Sequence, residues 1–333
     1  MSSKSFRLSL NSAYWAICIA VCFIVTNFVS GVLVSPNSLT HEVQIRDVGA
    51  SLALPIIGAF SYIILPFVIG LGHKEILENG KNCGLSFSQS SSLANKVKNI
   101  PCSVLVVSVL TGFIIMFSYL YSEQLFYVDS LSFEDNLRRF PLVLQAWWMW
   151  TGVILAIAVI LRNTKTIDKF IVEYLTVELF RSQHKYPFAN TVFWNALFFS
   201  IGISLVPLLW IGGEPQFKDF LLAMTVLLIL INLTFYPLIR IKQIKTNTFE
   251  TLKAANQYEW HVSQMTPQVS FEKLTPHERD LILSDAQSLN QTPPKRWANF
   301  FHLSIRVSIL IAIPFFTWQV FKLVNMSLFL VQL

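Results

Sequence analysis

The chain has 333 residues, of which 53% are hydrophobic, 14% aromatic and only 13% charged, and its mean hydropathy is +0.54. Against a globular norm of about 25% charged residues, this composition excludes a disordered chain and a disulfide-stapled secreted domain, and leaves little sequence for a large soluble domain. The formal net charge of +6 and pI of 9.1 bring nucleic-acid binding to mind, but the basic residues are spread over several connections rather than gathered beside stacking aromatics.

A helix that crosses a hydrocarbon core roughly 30 Å thick needs about 20 mostly apolar residues. Seven segments meet that requirement: 14–34, 51–71, 101–121, 140–161, 191–211, 219–239 and 303–324. Their apolar runs are continuous rather than alternating, which predicts helices and not a spanning β-barrel. The first follows Lys4 and Arg7 as a signal peptide would, but its apolar run is longer than the ~7–15 residues of a signal core and predicts a retained anchor. The second carries Pro55 and Pro66, and the fourth carries Trp147, Trp148 and Trp150.

Between the second and third spans, residues 72–100 contain Gly72, Gly80, Gly84 and a serine-rich run. They read as an irregular linker with a short basic helix near 93–98, and the glycines fit neither phosphate-cradling fingerprint. Residues 166–182 place Ile167, Phe170, Ile171, Tyr174, Leu175 and Leu179 on one face, which predicts an amphipathic helix. Such a face either rests on the headgroups and bundle or docks a cytoplasmic partner, and the candidate partner-binding residues are Phe170, Ile171, Tyr174 and Leu175.

Intramembrane polarity comes from Asn27, Gln145, Asn195, Ser200, Ser204, Asn232 and Gln319. Groups of this kind join helices or line a pore, and the candidates for either role are Asn195, Ser200, Ser204 and Asn232. Pro55, Pro66, Pro207 and Pro314 are expected to kink spans. No Asp, Glu, Lys, Arg or His occurs in the middle of a span. That argues against a carboxylate proton relay, an intramembrane metalloprotease and a retinal lysine.

The connection 240–302 predicts a helix over 249–260 and a second helix started by Thr275, Pro276 and Glu278, together a small helical hairpin. His277, Glu278 and Asp280 lack the second histidine of a zinc motif, so no metal, cofactor or catalytic residue is expected. Cys18, Cys22, Cys83 and Cys102 lie in spans or a basic connection, which predicts no structural disulfide.

With the N-terminus inside, 19 of the 25 Lys and Arg fall in inner segments and five in outer ones. The excess predicts a cytoplasmic N-terminus, an external C-terminus and a bacterial inner membrane. The expected fold is all-α, a polytopic bundle of about seven spans. Residues 1–239 make six spans and the inner-face helix, 240–302 a cytoplasmic helical loop, and 303–333 the last span. The expected function is that of a non-enzymatic membrane subunit in a regulatory, immunity, defence-effector or secretion system. Its partners would be membrane lipids and a cytoplasmic or membrane protein, with no nucleic acid. The alternative is a channel or uncoupled facilitator.

Overall fold

The computed structural model describes residues 5–6, 10–33, 41–122, 133–174, 188–210, 217–257 and 308–323. Among them helix dominates. In chain order the helices are α1 (Leu10–Val29), α2 (His41–Asn82), α3 (Phe87–Lys98), α4 (Cys102–Ser122), α5 (Phe133–Arg138), α6 (Phe140–Tyr174), α7 (Ala189–Leu205), α8 (Phe217–Gln257) and α9 (Ser308–Leu323). A 3-10 turn, Val206–Trp210, continues α7 and contains Pro207, whose predecessor Val206 keeps helical angles of φ −57° and ψ −39°.

Four helices are long and apolar enough to cross a membrane, within Asp47–Asn82, Asn136–Tyr174, Ala189–Leu209 and Ala223–Ile241, and shorter apolar helices occupy Ala13–Val29, Cys102–Ser118 and Ser308–Leu323. The protein is therefore membrane-embedded through transmembrane helices.

Several helices are much longer than the apolar runs inside them. The 42 residues of α2, 35 of α6 and 41 of α8 correspond to about 63, 52 and 62 Å at 1.5 Å per residue, against a core of roughly 30 Å. The span expected at 140–161 and the amphipathic helix expected at 166–182 are one helix as far as Tyr174. Their buried faces form one stripe, through Gln145, Met149, Gly152, Ala156, Val159, Asn163, Ile167 and Phe170. With three- and four-residue spacing throughout, nothing in the sequence interrupts it. Likewise α8 runs from the span expected at 219–239 through the basic Arg240–Lys245 stretch to Gln257 without a break. The remainder of the expected hairpin, with Thr275, His277 and Glu278, lies outside the described residues, as does Leu175.

The linker expected at 72–100 is also mostly helical. Gly84, at φ 69°, ends α2 in a left-handed cap: Leu85 N–H donates to the Gly80 carbonyl at 3.0 Å and Gly84 N–H to Lys81 at 3.1 Å. Ser86 then opens α3 with a reciprocal capping box to Gln89.

The central pair is α2 against α6, with α1 packed on α2, α4 on α6, and α7 and α8 closing the other side. Three apolar clusters lie along its length. Leu54, Met116 and Met149 belong to one at the α5 end; Leu65, Ile160, Ala196 and Leu310 to the central one; and Ile76, Val97, Phe170 and Ile241 to one at the α3 end. In α1 the buried face is the small one, Ala13, Ala16, Ala20 and Asn27, while Trp15, Val25 and Phe28 face outward. Close backbone approach favours small residues between membrane helices, and large apolar ones suit lipid. Among the described residues the one strand pairing is antiparallel, Ser5–Phe6 with Ile100–Pro101, and it brings the N-terminal segment to the α3 end.

Candidate functional site

Two prolines organise the polar groups inside the bundle. A proline in a helix interior has no N–H for the carbonyl four residues earlier, and in lipid that carbonyl must find another donor. Pro55 leaves the carbonyl of Ser51, and Asn27 Nδ2 of α1 donates to it at 2.7 Å. The same amide exchanges two hydrogen bonds with Gln145 of α6, at 2.9 and 2.6 Å. Asn27, Ser51 and Gln145 are all fully buried. Pro314 in α9 likewise leaves the carbonyl of Leu310, which accepts from Ser200 Oγ of α7 at 2.6 Å.

The remaining pore candidates do not converge. Ser204 Oγ donates to Ser200 O on its own helix, and Asn232 Nδ2 donates to Leu228 O at 2.9 Å from an exposed face of α8. Asn195 is buried, and its Oδ1 has no hydrogen-bond partner among the described residues. The central stretch between these polar groups is filled by Leu65, Leu155 and Ile160.

At the α5 end, Arg139 Nε and Nη2 grip Asp47 Oδ2 and Oδ1 at 2.7 and 3.1 Å, with both side chains almost wholly buried. This bidentate pair clamps the starts of α2 and α6 together. Neither residue stood out in the sequence, because each lies just outside an apolar run in a connection where single charges are ordinary.

At the α3 end three long helices extend beyond their apolar runs and enclose a further cluster, and it is here that the expected partner face lies. Phe170 and Ile171 are 0% exposed. Tyr174 packs partly buried against the same cluster, and Phe170 meets the Phe188 ring edge-on at 5.3 Å. The face expected to be open to a partner is thus occupied by α2, α3 and α8 of the same chain.

Charged side chains at this end tie helix termini. Arg162 of α6 donates to the Lys96 and Asn99 carbonyls at 2.6 and 2.8 Å, placing a cation at the C-terminus of α3, where the helix dipole favours it. Glu75 of α2 accepts from the Thr191 backbone N–H at 3.2 Å. The first turn of α7 needs this, since Phe188 at its start supplies no side-chain cap. Asp168 of α6 faces Arg240 of α8 at 3.6 Å. What stays outward includes Phe87 at the first turn of α3, 82% exposed. Among the described residues no three His, Cys, Asp or Glu gather as metal ligands. Comparison with protein-family profiles, curated proteins and solved structures gives no match.

Proposed function

We propose that this protein is a non-enzymatic seven-span subunit of a multi-component system in a bacterial inner membrane, of regulatory, immunity, defence-effector or secretion type. Its N-terminus is cytoplasmic and its C-terminus external, and it acts through a protein partner at the α3 end. The observation that carries this reading is the extension of α2, α6 and α8 past their apolar runs into a packed helical platform at the end with most Lys and Arg. A chain that only needed to cross the membrane has no use for such a platform. The charge asymmetry supports the orientation, and the pairing of Ser5–Phe6 beside Ile100 agrees with two crossings between them.

Since Phe170 and Ile171 serve the platform's own core, the contact surface moves to its outside, where Phe87 stands exposed. The competing reading is a channel or uncoupled facilitator, favoured by the buried Asn195 amide whose oxygen has no hydrogen-bond partner among the described residues.

The two are separated by a paired measurement. A photocrosslinking residue at Phe87 is expected to capture one protein species in cells, while the same residue at Ile114 or Ile229, on lipid-facing flanks, captures none. Purified protein in vesicles is expected to release no ions or dye. Conduction by the purified chain, together with no crosslink at Phe87, would replace the partner reading with the channel.

A further inference from the structure

We infer that the α3 end carries a binding site for the headgroup of an anionic phospholipid, formed by Lys96 and Lys98 of α3 and Lys165 of α6. The inference is independent of the partner reading and of which side of the membrane is cytoplasmic. Arg162 assembles the site: its bonds to the Lys96 and Asn99 carbonyls draw the C-terminal end of α3 onto the flank of α6, one turn from Lys165. The guanidinium is thereby engaged, while the side chains of all three lysines remain exposed.

Three other cations at this end have carboxylate neighbours. Lys74 lies 3.7 Å from Glu78, Lys169 3.3 Å from Glu173, and Arg240 3.6 Å from Asp168. Lys96, Lys98 and Lys165 have none among the described residues, and neither does Lys81 in the last turn of α2. Of these four, Lys96, Lys98 and Lys165 lie on the two segments that the Arg162 bonds draw together.

Its depth fits a phosphodiester. The apolar run of α6 ends at Leu161, four residues before Lys165, or about 6 Å along the helix. Helix α4 begins at Cys102, four residues after Lys98. The polar zone of a bilayer is about 5–7 Å deep on each side, so the ammonium groups stand at headgroup level. Along α4, which follows α3 in the chain and packs on α6, Val106, Val107, Leu110 and Ile114 turn outward, each more than half exposed. A soluble phosphate would use the ammonium groups alone; a diacyl lipid also uses this flank for its chains.

The test is native mass spectrometry of the purified full chain with dioleoylphosphatidylglycerol, dioleoylphosphatidylcholine or inorganic phosphate. Phosphatidylglycerol is expected to be retained in preference to phosphatidylcholine. Combining Lys96→Gln, Lys98→Gln and Lys165→Gln should weaken its retention by about 100-fold, at roughly fivefold per cation. The corresponding triple change to Arg should keep it, which separates loss of charge from loss of fold. A control with Lys74→Gln and Lys81→Gln should bind like the parent. Four results would each overturn the inference: undiminished binding by the triple Gln variant, an equal loss in the control, equal retention of phosphatidylcholine, or displacement of the lipid by millimolar phosphate.

Discussion

The side-chain amide of Asn27 does two things at once, donating to the carbonyl left by Pro55 and pairing with Gln145. Removing it leaves a backbone acceptor and an amide unsatisfied in a dry interior, where such losses cost about 1–3 kcal/mol. Asn27→Leu is expected to destabilise the protein by that amount in unfolding titrations from mixed micelles. Adding Pro55→Ala to that variant restores an N–H within reach of Ser51 O, so the second change should recover part of the loss. Strictly additive effects of the two substitutions would show that the Ser51 carbonyl is not what Asn27 satisfies. The Ser200 bond to Leu310 repeats the arrangement in α7 and α9. In both, the donor sits on a different helix from the proline, so each bond joins two elements while repairing one.

Among the elements, α4 shows how close approach depends on a missing side chain. A Cβ at Gly112 would lie 2.8 Å from the backbone N and Cα of Thr151 on α6, whereas one at Gly70 in α2 would meet nothing within 4 Å. Backbone cannot swing aside as a side chain does. Gly112→Ala is therefore expected to push α4 away from α6 and lower the unfolding midpoint. Gly70→Ala should be neutral or stabilising by up to ~1 kcal/mol, because it only removes backbone freedom from the unfolded helix. Equal effects of the two substitutions would contradict the close α4–α6 contact. The same principle governs α1, whose alanine stripe rather than its larger apolar residues faces α2.

For the whole molecule, the cluster at the α3 end ties four helices together outside the apolar spans. Phe170→Ala should remove a large buried side chain at a cost of about 3–5 kcal/mol, and cellular abundance should fall with stability. Phe87→Ala, at an exposed position of the same platform, should leave both unchanged. Immunoblot levels and micelle unfolding of the two variants measure this directly. Normal stability of the Phe170 variant would mean that the cluster is not a core.

Much of this protein was written locally in its sequence. Continuous apolar runs such as 226–233 specify membrane helices, because lipid demands that a segment satisfy its own backbone and show apolar groups in every direction. The asymmetry of Lys and Arg is equally local, and so is the capping box at Ser86 and Gln89, although a serine-rich stretch hid it. The termini of long helices were not legible in this way. Charges at Arg162 or Lys242 look like an end to a span, yet α6 and α8 continue; in α6 the buried stripe runs on through Asn163, Ile167 and Phe170, so packing and not charge carries that helix onward. Partners were beyond the sequence altogether. Proline announces an open carbonyl four residues earlier, but which amide or hydroxyl answers it depends on helices that meet only in the folded chain, across 24 residues for Asn27 and Ser51 and 110 for Ser200 and Leu310. The same is true of Phe170 and Ile171. Their periodicity marks an apolar face, and only the tertiary structure decides whether that face meets a partner or, as here, α2, α3 and α8 of its own chain, because burial is a property of what surrounds a residue and not of the residue itself.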